Sequence, residues 1–185
     1  MKKGKLIIII AVVIAIFWGV GARNNLVTMR EDVRQEAANI ETQLQRRSDL
    51  IPNFVETVKG YAKHETEVYT AIADARAKLA GAGDDIGALN EAQDEFESAL
   101  SRLLVVVENY PELKASQNFV AFQDELAGTE NRIAKAREDY NDVVASFNKE
   151  IVPFPNSLIA SLCGIEEAEY FKAAEGADKA PSVQF

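Results

Sequence analysis

From Leu6 to Ala22 the chain reads LIIIIAVVIAIFWGVGA, with no charged side chain. Lys2, Lys3 and Lys5 stand before this stretch and Arg23 closes it. As a helix it would span about 25 Å, at the lower end of what crosses a ~30 Å hydrocarbon core. Trp18, near its far end, sits where an interfacial aromatic belongs and is the first membrane-interface candidate. A cleaved secretory signal would share the basic start, and Val20-Gly21-Ala22 supplies small residues for a cut. The apolar run is longer than the ~7 to 15 residues of such signals. A helical pattern also resumes almost at once after Arg23. Residues 1–23 are therefore expected to form a single membrane anchor, with the lipid bilayer as partner of residues 6–22. Basic residues on the two sides nearly balance, since Arg23, Arg30 and Arg34 come after the span. The lysines lie closest to it, which favours a cytoplasmic N-terminus and a domain on the exported side.

Beyond the anchor the chain is acidic. All 29 carboxylates lie there against 16 of the 20 basic residues, leaving residues 24–185 at −13. Such a surface repels a phosphate backbone, so no nucleic-acid partner is expected, and it also disfavours anionic headgroups. At 185 residues the chain holds one ordinary domain besides the anchor. Its one cysteine, Cys163, excludes an intrachain disulfide framework and a thiolate zinc cage.

Apolar residues after the anchor recur at steps of three and four, as on a helix with one buried seam. Phe119, Phe122, Leu126, Thr129, Ile133, Ala136, Tyr140, Val143 and Phe147 keep this rhythm, with Thr129 the one polar intruder. Further seams run from Ile51 through Phe54, Val58 and Glu65 to Leu79, and from Ile86 through Leu89, Gln93 and Phe96 to Val107. The first, from Leu26 to Leu44, repeats a step of four and so relaxes a left-handed supercoil locally. Breakers fall at Ser48 to Pro52, Gly81 to Asp85 and Asn109-Tyr110-Pro111; Asp84 or Asp85 can cap the third helix and Ser116 the fourth. The expected fold is all-α: a long antiparallel up-and-down four-helix bundle over residues 24–152, after one N-terminal transmembrane helix. A three-helix bundle whose first helix only kinks at Pro52 is the competitor. Residues 153–185 read as a C-terminal extension with a short helix from Glu166 to Glu175 and a polar end, GADKAPSVQF.

In that topology the loops at 48–52 and 108–111 meet at the membrane-distal end, about 37 Å out. Arg46, Arg47, Asp49 and Asn53 would face Glu108, Asn109 and Tyr110 across one tip. Such a cluster serves either as helix caps and intrabundle ion pairs or as a partner-binding tip. The fourth helix, about 50 Å long, would return to the bilayer and bring Phe147 and Phe154 near the headgroups. There they would cover the bundle end or dip into the interface. Glu65 on a seam calls for a cation, with Arg102, Arg132 and Arg137 available.

A search for chemistry returns nothing. A carboxylate-bridged di-metal bundle needs Glu-x-x-His on two helices, and the one histidine, His64, has Tyr61 three residues before it. No G-x-S-x-G elbow, P-loop or G-x-G-x-x-G occurs. Cys163 in SLCGIEE reads as a small core residue. No catalytic residue, metal or cofactor is expected.

Three long segments carry a further likeness: QLQRRSDLIPNFVETVKGYAKHE, then ALSRLLVVVENYPELKASQNFVAFQDELAGTENRIAKAREDYNDVVASFN, then FPNSLIA with a closing PSVQF. In these the sequence resembles the LemA family. The resemblance implies a bacterial inner-membrane protein with an N-terminal transmembrane helix, a long antiparallel helical domain and no established enzymatic activity. The expected function is accordingly a non-enzymatic interaction scaffold that binds an unidentified protein or its own copies. A membrane-shaping or lipid-contacting role is the first alternative, and an unrecognised metalloprotein or enzyme the second.

Overall fold

The computed structural model describes residues 2–83 and 85–172, which form six helices and no strand. The helices are α1 (Lys2–Lys59), α2 (Thr66–Gly81), α3 (Ile86–Glu108), α4 (Pro111–Lys114), α5 (Gln117–Ile151) and α6 (Asn156–Cys163). The all-α expectation holds. Asp84 and the closing GADKAPSVQF lie outside the described residues.

Two compact units share α1 and α5. The first comprises Met1–Glu36 and Asp139–Glu169; the second is built on Ala37–Glu138, with Tyr170 to Lys172 the described part of its remaining segment. In the second unit four helices run up and down. Phe54 on α1 stacks on Phe122 and Phe119 of α5, at centroid distances of 3.8 and 5.7 Å. On α2, Arg76 reaches back to Ser48 of α1, and Lys78 pairs with Glu95 of α3. Ser48 and Arg76 lie on opposite sides of the turn after α1, and Lys78 and Glu95 on opposite sides of the turn after α2, as antiparallel neighbours require. The core is the expected seam set: Leu44, Ile51 and Val58 on α1, Ile72 on α2, Phe96 and Leu103 on α3, and Ile133 on α5.

The first helical hairpin turns later in the chain than the breaker at Ser48 to Pro52 predicts. α1 runs through Pro52 to Lys59, and the turn is made by residues 60–65. Proline removes one intrahelical hydrogen bond, but burial of Ile51, Phe54, Val55 and Val58 around it outweighs that loss. Glu65 therefore leaves the seam: it is half-buried at the start of α2, where its carbonyl accepts the amides of Val68 and Tyr69. Among the described residues, it pairs with none of Arg102, Arg132 and Arg137.

The other boundaries agree with the sequence. Asp85 Oδ1 accepts the Ala88 amide at 2.9 Å and caps α3, and Ser116 Oγ accepts the Phe119 amide at 3.2 Å before α5. Pro111 opens the single turn of α4, where its missing N–H costs nothing.

In the first unit Leu26 and Val33 of α1 and Tyr140, Val144, Phe147 and Ile151 of α5 are buried. The α5 seam steps from Tyr140 to Val144, leaving Val143 half-buried. The short C-terminal helix lies at Asn156–Cys163 and not at Glu166 to Glu175, whose last residues are outside the described ones. Gly164 ends it at φ 62°, a left-handed conformation that suits glycine. Residues 165–169 are then fastened along α5. Asn148 donates to the Ala168 carbonyl at 2.9 Å and accepts the Ala168 amide at 2.8 Å, while the Tyr140 hydroxyl donates to the Glu169 carbonyl at 2.7 Å.

Candidate functional site

The buried polar residues of the second unit converge on one level of its four helices. On α1, Leu44, Arg47 and Ile51 continue one three-and-four rhythm, so Arg47 faces inward and is 6% exposed. Its guanidinium donates to Glu97 of α3 at 3.1 Å and to Glu130 of α5 at 2.7 Å, and lies 6.0 Å from the centre of the Phe96 ring. Gln93, one turn before Glu97, donates to the same carboxylate at 3.0 Å. Ser48, also buried, accepts from Arg76 Nε at 3.2 Å, which adds α2. Thr129 is buried beside Glu130 and satisfies its hydroxyl on the Leu126 carbonyl at 2.7 Å.

Arg137 stands next to this layer, 4.6 Å above the Phe171 ring. Burial lowers its guanidinium from the ordinary arginine value; Glu97 and Glu130 oppose that shift and Arg47 adds to it. Arg47 Nε, Gln93 Oε1 and Arg137 Nε are buried without a hydrogen-bond partner among the described residues. Arg47 is buried while the Glu97 and Glu130 side chains are 38% and 49% exposed, so losing the carboxylates would strand the buried guanidinium. The layer's ion pairs and hydrogen bonds tie α1 to α2, α3 and α5 and so can fix helix register.

The expected tip is not assembled. Arg46 pairs with Glu125 of α5 at 3.4 Å, Arg47 lies inside the polar layer, and Asp49 accepts from Gln45 at 2.8 Å. Asn53 is exposed on α1, with its carbonyl accepting the Thr57 hydroxyl. Glu108 ends α3, Asn109 is its C-cap, and Tyr110 is the N-cap of α4. Among the described residues, no hydrogen bond or ion pair joins these last three to the α1 set. The turn at 60–65 takes the place of 48–52 at this end. The Tyr69 hydroxyl donates to the Ala62 carbonyl at 2.6 Å, and burial, joined by the charges of Glu65 and Tyr110, raises its pKa.

His64 is exposed in that turn, and no group of three or more His, Cys, Asp or Glu side chains could hold a metal among the described residues. Cys163 is exposed rather than part of a core.

A second feature is apolar. The start of α1 is long and apolar enough to cross a membrane, and its large apolar side chains are exposed. Trp18 is 47% exposed. Phe154 is 80% exposed, whereas Phe147 is 1% exposed and belongs to the core, out of reach of any lipid.

A four-helix bundle locked by a buried arginine layer and preceded by an apolar helix belongs to the class of all-helical bundle domains. The LemA family profile matches residues 36–185, and the chain belongs to that family. Magnetosome protein MamQ 2 of Paramagnetospirillum magneticum is 32% identical, over 84% of this chain and 66% of its own length. Magnetosome protein MamQ of Magnetospirillum gryphiswaldense is 29% identical over the same shares. Protein LemA of Metamycoplasma hominis is 26% identical over 92% of this chain and 78% of its own. The chain thus spans just under two thirds of the length of the MamQ relatives.

Proposed function

We propose that the chain is a membrane-anchored, non-enzymatic scaffold. Leu6 to Ala22 crosses the bacterial inner membrane once, and the helical domain stands on the exported side, where it engages a protein partner or a second copy of the chain. The observation that carries this reading is the apolar start of α1, whose large apolar side chains from Leu6 to Val20 are 44% to 76% exposed. Exposure of that many large aliphatic groups to water is untenable, and a bilayer removes it at about 25 cal/mol per Å². The polar layer supports a structural role for the bundle, since it joins four helices. The LemA family is not a known enzyme family.

The end of the second unit that carries the 60–65 turn is the favoured docking end. Tyr61 is 46% exposed there, and Glu108 and Asn109 are exposed. Placing a photo-crosslinking amino acid at Tyr61 or Asn109 of the full chain in native membranes tests this. A discrete adduct from these positions and none from Glu138 is expected. Uniform or absent adducts, with the chain still in the membrane fraction, would reject that end as the docking surface.

A further inference from the structure

The first unit carries a second bare apolar surface beside the anchor. A methyl group at Gly19 would sit 3.7 Å from Ile159 Cδ1, so α6 lies against α1 at the end of the apolar stretch, next to Trp18. Leu158 and Leu162, four residues apart and hence on one face of α6, are 55% and 75% exposed. Just before the helix, Val152 and Phe154 are 60% and 80% exposed. The opposite side of the segment is anchored, with Ala160 and Ile165 buried and Asn156 donating to both the carbonyl and the carboxylate of Glu150. Fixed attachment on one side makes the bare side a stable surface of the fold.

Charge separates this surface from the rest of the domain. From Ile151 to Ile165 there is no charged residue, although residues 24–185 together carry −13. The repulsion that keeps an acidic domain off anionic headgroups is therefore weaker here. Resting on the reading that Leu6 to Ala22 spans a bilayer, we propose that α6 and Phe154 insert their bare face into the headgroup–acyl boundary beside the anchor, as a second lipid contact. Lipid is the occupant because the helix against which α6 packs is the span itself, and Gly19 lies at its boundary end. Apolar faces seated in that boundary penetrate about 5–10 Å. Contact at two points would limit the tilt and rotation open to a single helix.

Two native residues supply the test, because the chain has one tryptophan, Trp18, and one cysteine, the exposed Cys163 at the end of α6. The full chain is labelled at Cys163 with an environment-sensitive fluorophore and reconstituted in phosphatidylethanolamine–phosphatidylglycerol vesicles carrying brominated acyl chains. Trp18 reports the anchor and the label reports α6. The label is expected to lose emission in step with Trp18, more with bromine near the headgroups than near the chain ends. The double variant Leu158→Glu, Leu162→Glu should abolish that loss while Trp18 quenching and helix content stay unchanged. Quenching of Trp18 without quenching at Cys163 would overturn the second contact and leave the anchor standing. If the unquenched label still emits as in an apolar setting, protein covers the face, from a partner or a second copy, and lipid is excluded as occupant. Loss of quenching at both positions would overturn the anchor itself, and quenching at Cys163 that survives the double variant would exclude this face.

Discussion

Arg46 and Arg47 are adjacent, and their loss should have very different effects. Arg47→Ala leaves Glu97 and Glu130 without their shared donor and empties a buried site, and it is expected to destabilise the chain by about 2 kcal/mol. Arg46→Ala breaks an ion pair whose side chains are 58% and 44% exposed, so the expected cost is below about 0.5 kcal/mol. Urea unfolding of the detergent-solubilised full chain, followed by circular dichroism, measures both. The reverse order would contradict the polar layer. Tyr140 gives a pH dependence. Burial, with Glu169 adding to it, raises its pKa above the ordinary tyrosine value, so folding favours the neutral phenol. That contribution is complete below about pH 10 and fades as pH rises through the folded value. Tyr140→Phe should therefore cost about 1 kcal/mol near neutrality and less above about pH 10, read from thermal melts across that range. At this scale the sequence shows which positions face inward but not what they meet. Gln93 and Thr129 stand out as polar members of apolar seams. Arg47 fits the step between Leu44 and Ile51, yet arginine is ordinarily exposed and its partners are distant in sequence.

Helix ends set by local hydrogen bonds are legible; those set by tertiary packing are not. A cap at Asp84 or Asp85 can be read directly, the structure uses Asp85, and Asp85→Ala is expected to cost about 1 kcal/mol in the same urea experiment. Pro52 is a stronger signal than anything in residues 60–65, but the buried seam on either side of it carries α1 through. Pro52→Ala should consequently stabilise the chain by about 1 kcal/mol, through the hydrogen bond regained less the added freedom of the unfolded state. A loss of stability would mean that the ring itself packs. The C-terminal segment shows the opposite conflict. Glu166 to Glu175 favours helix by composition, yet residues 165–169 are held without helix by Asn148 and Tyr140 on α5. Specific side-chain bonds to the backbone override a weak propensity there. The α6 helix lies instead in NSLIASLC, whose short apolar pattern is too brief for periodicity to reveal.

For the whole molecule, the class of fold and the family are carried by different parts of the chain. The family match begins at residue 36, beyond the apolar stretch, so membrane anchoring rests on composition and on the exposure of the apolar side chains there. The four-helix arrangement is legible because the apolar residues of each helix recur at steps of three and four; the division into two units is not, because α1 and α5 are each continuous helices with residues in both. The scaffold reading stands or falls with the span. Alkaline carbonate extraction of bacterial membranes containing the full chain, with a variant lacking residues 1–23 alongside, tests it most directly. Retention of the full-length chain in the pellet with its N-terminus intact, and release of the variant, is the predicted result. Release of the full chain, or a retained chain beginning at Arg23, would contradict it.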